Sequence, residues 1–305
     1  MNTNKHNRRE FLKMIGYGAA AAVLPVSVVA ADIAPAVPVN MAEQTVRWLP
    51  ADLWNSCNCC VDEEKLKGKQ CFVGFDLMNW TDIAGYLMLF PPDDDCGLWR
   101  VLPRFFIPRD NAEKRENCDK VPYLKWARGG FITLTEGNVI DHDAIKESLW
   151  SDAGKFEIVD IAIDRWEFKF FCKILIAEGI DKEKFVAFGQ GFYGMSAPTK
   201  ELKKLLLVKK LAHGGHPVLK WMAGNVTVET AGPGVIKPSR TKSKEKINGI
   251  IMLIMALGRA KTVDLKSQIE AMVSANGGFM VTDEALKKNG FVADKTQICG
   301  YRAVS

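Results

Sequence analysis

The sequence predicts an α/β fold: a mixed sheet in which an antiparallel meander is followed by parallel βαβ units, flanked by helices. Three observations carry that reading. The runs CFVGFDL, IAGYLMLF and LWRVLPRFFI follow one another from Cys71, each apolar and aromatic or β-branched, separated by spacers containing WTD and PPDDDCG. Short connections between successive strands imply antiparallel neighbours. Farther on, strand-like runs at 156–163 and 185–188 bracket an amphipathic helical stretch at 167–178, and that rhythm makes parallel neighbours. With 48% hydrophobic and 25% charged residues over 305 positions, the composition is that of a globular chain, neither disordered nor fibrous.

Taken in order, the chain opens with a segment that reads as a targeting signal. Asn7-Arg8-Arg9-Glu10-Phe11-Leu12-Lys13 resembles a twin-arginine export motif, residues 14–31 carry no charge, and Val28-Val29-Ala30 reads as a small-residue cleavage site, the alternative being an accidental or fused leader. Gly16, Gly18 and Pro25 make this stretch a poor membrane span, and no later run reaches the roughly 18 apolar residues that spanning requires. The leader points to the periplasm. Residues 32–46, with Pro35 and Pro38 among small residues, read as a linker to a domain at 47–261. After the three strands, helices are expected at 111–119 and 122–128, a short strand in FITLT, and a helix at 141–153 capped by Asp141. A helix at 196–211, a break at HGGHP, an irregular basic stretch GPGVIKPSRTKSK and an apolar helix at 245–257 complete the domain. The remaining residues 262–305 form an extension with helices expected at 264–275 and 283–288 and no assignable role. Three antiparallel strands followed by parallel units describe an RNase H-like sheet.

Carboxylates at strand ends carry the strongest chemical signal. Asp76 ends the first strand, Asp82 follows across the turn, and Asp164 ends the fourth strand in AIDRW. In the inferred sheet the first and fourth strands are adjacent, so Asp76 and Asp164 project side by side from one edge, and like charges held that close need cations. Phosphodiester hydrolysis uses two Mg2+ or Mn2+ ions about 4 Å apart, bound by hard oxygen ligands. Taken singly, each Asp also fits a turn former or helix cap, and Asp82 fits the closing residue of its turn.

Charge is unevenly spread. The chain carries +5 overall, yet residues 200–261 hold 13 Lys/Arg against 3 Asp/Glu, a distribution that suits one surface for a polyanion and another for divalent cations. Lys237, Arg240, Lys242, Lys244 and Lys246 form a basic, Ser/Thr/Gly/Pro-flanked loop suited to a DNA backbone without base reading. His213 and His216 in HGGHP read either as exposed turn imidazoles or as groups that move protons or contact phosphate. Eight cysteines, three crowded into NCNCC and the rest scattered, lack paired zinc-ligand spacing and read as structural thiols.

Longer blocks carry a resemblance. GFDLMNWTD, VLPRFFIPRDN, VPYLKWARGGFITLTEGNVIDHDAI, IAIDRW, FGQGFYGMSAPTKEL, HGGHPVLKWMAGNV and KSKEKINGIIMLIMALGRA occur in order across residues 47–261. Together they resemble the nuclease half of a tailed-phage terminase large subunit. The resemblance implies a cytoplasmic enzyme that cleaves concatemeric double-stranded DNA during genome packaging, with an acidic cluster binding two metals. Its partners would be a separate terminase ATPase, a small terminase subunit and a portal. By position, the first acid is Asp76 with Asp82 close by, and the second is Asp164. The third falls at Asn248, whose amide oxygen can touch a metal but brings no charge, so the second metal should bind more weakly. Glu245, three residues earlier on the expected helix, is a candidate substitute. No GxxxxGK[ST] phosphate loop of an ATPase motor occurs, so the chain reads as a detached nuclease domain, a prophage remnant or the product of a split gene. The rival readings are a noncatalytic DNA-binding relic and an exported protein of unrelated use.

Overall fold

The structure, a computed structural model, describes residues 47–77, 83–165 and 181–275. The chain divides into Met1–Thr45 and Val46–Ser305, and everything described belongs to the second unit. The leader, the linker up to residue 46, Asp82, the expected helix at 167–178 and the second helix of the tail lie outside the described residues.

The first strands are β1 (Gln70–Asp76), β2 (Ala84–Phe90) and β3 (Trp99–Pro108). They form the expected meander, with β1 antiparallel to β2 and β2 to β3. Short helices occur at α1 (Ala51–Asn55), α2 (Arg109–Asp119) and α3 (Tyr123–Arg128), and β4 (Thr133–Thr135) adds to β3 in parallel. Helix α4 (His142–Lys155) begins at Asp141, whose side chain accepts from the amides of Asp143 and Ala144, as its sequence position predicts. Strand β5 (Glu157–Asp164) then lies parallel to β1, and β6 (Phe185–Phe188) parallel to β5. Among the described residues the sheet order is β4-β3-β2-β1-β5-β6, with β7 (Leu211–Ala212) beside β3. The mixed sheet read from the sequence is therefore present, and β1 sits at its antiparallel-to-parallel junction.

Alternation along the strands sorts the core onto two faces. Val73, Phe75, Tyr86, Met88, Ile161 and Ile163 pack with Ile145 and Leu149 of α4. Phe72, Leu87, Leu89, Phe105 and Ala162 face three other helices: α5 (Phe192–Leu207), α6 (Pro217–Asn225) and α7 (Asn248–Ala275). Residues 250–257 of α7, the run IIMLIMAL, are buried on every side, so this helix is apolar all round because it lies inside the core. It crosses β1 at Gly74, where a Cβ would stand 2.0 Å from the carbonyl oxygen of Met252. Only glycine allows that approach.

Several elements differ from the sequence expectation. Helix α5 starts at Phe192 on a Gly191 cap and stops at Leu207, short of 211, because Lys209 turns left-handed and the chain enters β7. The HGGHP break starts a further helix, α6, with Pro217 in its first turn, where the missing N–H costs nothing. Gly214 and Gly215 turn the chain into it at positive φ. Part of the stretch read as irregular is a hairpin of β8 (Val228–Gly232) and β9 (Val235–Pro238). The apolar helix begins at Asn248, not 245, and runs on through the helix expected separately at 264–275. No proline lies between Gly258 and Ala275 to interrupt it. Among the described residues, no helix is long and apolar enough to cross a membrane.

Candidate active site

Asp76 and Asp164 are the last residues of β1 and β5. The parallel register pairs Gly74 with Ala162 and Phe75 with Ile163, so one further step brings the two carboxylates level. Both share strand parity with Gly74 and Ala162 and thus belong to the α7 face. Asp76 is 0% and Asp164 4% exposed.

Asn248, 3% exposed, opens α7. Its Nδ2 donates to the carbonyl of Ile83 at 3.2 Å, and its Oδ1 accepts from Nη1 of Arg240 at 3.3 Å. The other guanidinium nitrogen, Nη2, donates to Oδ2 of Asp76 at 2.5 Å. Arg240 therefore joins the strand-end carboxylate to the helix-start amide. Its Nε is buried with no acceptor.

The turn that delivers Arg240 is heavily bonded. The Ser239 amide donates to the Thr227 carbonyl at 2.8 Å, and the Ser243 hydroxyl donates to the Ser239 carbonyl at 2.6 Å. The same hydroxyl accepts from the Thr227 amide at 3.0 Å. These Ser and Thr groups do locally what strand partners do in a sheet, and they fix the backbone on both sides of residue 240.

Asp164 and Arg240 line one groove of about 1910 Å³. Its walls also carry Arg165, Lys204, Lys237, Arg259 and Lys261, against the acids Glu201 and Glu229. Cations outnumber carboxylates along it, so the groove favours an anionic occupant. Lys237 is committed to Glu229 at 2.8 Å and lies 5.1 Å over the Phe192 ring. Arg259 holds Asp160 at 2.7 Å, yet burial pushes that carboxyl above the ordinary range. Tyr193, 76% exposed, stands on the groove wall.

The expected site residues separate accordingly. Asp76 and Asp164 end neighbouring parallel strands, and Asn248 is linked to Asp76 through Arg240. Arg240, read as a DNA-backbone contact, sits instead on Asp76 and Asn248, a placement that its Ser/Thr-rich neighbourhood signals only in retrospect. Lys242 and Lys244 are exposed and Lys246 half-buried, consistent with a charged surface loop. Glu245 is exposed and precedes α7, so the shared helix face that made it a substitute for Asn248 does not exist. The histidines are not exposed imidazoles. His213 is buried, stacked on Trp54 at 4.3 Å, with Nε2 2.7 Å from the Trp54 carbonyl. His216 caps α6 through the Leu219 amide and packs against Phe105 and Phe131. Both serve packing and capping. Cys57 and Cys71 are buried thiols, Cys57 lying 3.6 Å from the Leu206 carbonyl. Among the described residues no three His, Cys, Asp or Glu side chains converge as a metal cage.

Comparison with known proteins gives a consistent set of likenesses. The family model of the terminase large subunit endonuclease domain matches residues 26–264. The terminase large subunit of Enterobacteria phage HK97 is 31% identical over 192 residues, 63% of this chain and 38% of that protein. Protein YmfN of Escherichia coli (strain K12) is 28% identical over 234 residues, covering 73% of this chain and 50% of that one. The chain thus spans half or less of the length of these relatives. The crystal structure of the HK97 bacteriophage large terminase superposes with a TM-score of 0.64 at 29% identity, over 69% of this chain and 43% of that one.

Proposed function

The chain belongs to the terminase large-subunit endonuclease-domain family, and on that premise we propose that it is a metal-dependent endonuclease cutting double-stranded DNA during genome packaging. The observation that carries the reading is the pair of buried carboxylates, Asp76 and Asp164, ending adjacent parallel strands beside a cation-lined groove.

The donor set fits Mg2+ or Mn2+. Two carboxylates and an amide oxygen are hard ligands of the kind these ions take. Asp76 and Asp164 would hold the ion, with the Asn248 amide at the third position of the family's acidic set. A bound divalent ion activates a coordinated water and steadies charge on the departing oxygen. The chain's own residues do the rest. Cationic side chains along the groove and Lys242 and Lys244 on the neighbouring loop neutralise phosphates, which holds the duplex without reading its sequence. Burial of the carboxylates at rigid strand ends fixes their separation, so the scissile phosphate meets a preformed site. A packaging role implies a separate terminase ATPase, a small terminase subunit and a portal as partners.

Nicking of supercoiled plasmid with Mn2+ tests the reading. Wild type is expected to cut, and Asp76→Asn and Asp164→Asn each to lose at least about 100-fold in rate. No cutting by wild type and none by Asn248→Asp would sink it. A second reading, a DNA-binding relic without catalysis, is favoured by the uncharged Asn248; cutting by Asn248→Asp but not by wild type would select it.

A further inference from the structure

We propose that Arg240 supplies the second positive charge of the active site, so that the pocket works with one divalent ion and a guanidinium in place of two ions. The proposal rests on the endonuclease reading above and assigns a catalytic role to a residue outside the acidic set.

Position comes first. The guanidinium bridges Oδ2 of Asp76 and Oδ1 of Asn248, at 2.5 and 3.3 Å, the two oxygens that a second ion would have to share. An ion and an arginine cannot both occupy that gap. The backbone also holds the arginine there: the hairpin and the Ser239–Ser243 turn fix both flanks of residue 240 through the Thr227 and Ser239 bonds already described. A residue meant only to touch a DNA backbone needs no such frame.

Charge gives the same answer. Asp76 and Asp164 bring two negative charges and Asn248 none. Summed over Asp76, Asp164, Asn248 and Arg240 alone, one divalent ion gives +1 and a second would give +3, an excess of like charge around closely held cations. A third carboxylate with two divalent ions and no arginine also gives +1. Exchanging carboxylate for amide while adding a guanidinium therefore balances the loss of one ion.

Asn248 fits this arrangement as an amide. Its Nδ2 donates to the Ile83 carbonyl while its Oδ1 accepts from Arg240. A carboxylate there would set an oxygen against the Ile83 carbonyl, leaving both acceptors without a proton between them. The amide satisfies both neighbours, which marks it as matched to Arg240 and not as a decayed acid.

In the reaction the oxygen of water bonds to phosphorus and the P–O3′ bond breaks, its electron pair going to the 3′ oxygen. One proton of the water ends on that oxygen and the other on the new 5′-phosphate or in solvent. Arg240 gives up no proton, since a guanidinium stays charged; its N–H groups donate to the phosphoryl oxygens as charge builds on them.

Two measurements on the full chain test the assignment. Titration of Mn2+ without DNA, followed by calorimetry or electron paramagnetic resonance, should give one ion per wild-type chain and two in Asn248→Asp/Arg240→Ala. Single-turnover cleavage should fall about 100-fold in Arg240→Ala and recover in part in Arg240→Lys, which keeps the charge and guards against a folding defect. Two ions bound by wild type overturns the assignment, as does an Arg240→Ala protein that cuts at or above the wild-type rate. One ion bound with no cutting by wild type overturns the endonuclease reading, and the catalytic role of Arg240 with it.

Discussion

Burial drives both histidines of the HGGHP turn below the ordinary imidazole range. For His216 desolvation is the largest cause, reinforced by Arg104 and His213, and its pKa falls to about 4; for His213 desolvation outweighs the hydrogen bond to Trp54. His216 is neutral in the folded chain well below the pH of about 6.5 at which an unfolded imidazole takes up a proton. The unfolded state thus binds more protons below about 6.5, and stability is complete above that pH and is lost as pH falls toward 4. The loss from His216 is up to roughly 3 kcal/mol. Urea unfolding midpoints across that range should show it, and His216→Gln should flatten the dependence; an unchanged slope in that variant would remove His216 as the cause. At the same scale lies the main failure of residue-level reading. A histidine in a Gly-rich turn looks solvent-exposed in the sequence, but Trp54 and Phe105, which cover these rings, are 159 and 111 positions from them.

Packing between elements sets which substitutions the fold tolerates. Gly74→Ala drives a methyl into the α7 backbone at Met252 and should cost about 3 kcal/mol by overpacking. Since β1 and α7 carry Asp76 and Asn248, cutting should fall with stability; a variant as stable as wild type would show that α7 can slide. On the opposite face α4 is clamped by Asp152, which accepts from Arg104 Nε at 2.9 Å and from the Tyr86 hydroxyl at 2.8 Å. Asp152→Ala leaves Tyr86 only its bond to Ser148 and Arg104 only its pairing with Glu63, and should destabilise the chain by about 2 kcal/mol, read as a lower urea midpoint. Elements with a local code were readable from the sequence. The three strands, the Asp141 cap and β5 follow from continuous apolar runs and turn or cap residues within each segment. The β8–β9 hairpin was not, because its strands are largely half-buried or exposed and so lack the apolar run that marked the others.

For the whole molecule, the proposed hold on duplex DNA by the groove and the exposed lysines would depend on counterion release. Affinity should fall steeply with salt, and Lys242→Glu/Lys244→Glu should lower the slope of log K against log salt by about 1 for each phosphate no longer neutralised. An unchanged slope would place the duplex elsewhere. The twin-arginine-like segment makes a separate prediction: fused ahead of a reporter, residues 1–31 should direct export, and cytoplasmic retention would deny the segment that role.

The sequence by itself determined the mixed sheet, the two aspartates at neighbouring strand ends and the family resemblance, because apolar strand runs, turn chemistry and long ordered blocks are all written locally along the chain. It also placed Asn248 where an acid was expected. Only the tertiary structure decided what that amide does. Arg240 meets Asp76 across 164 positions, through a hairpin, a hydroxyl-bonded turn and a helix that crosses β1 at a glycine. An interaction of that span depends on how several elements pack at once, and no residue pattern near either end specifies it.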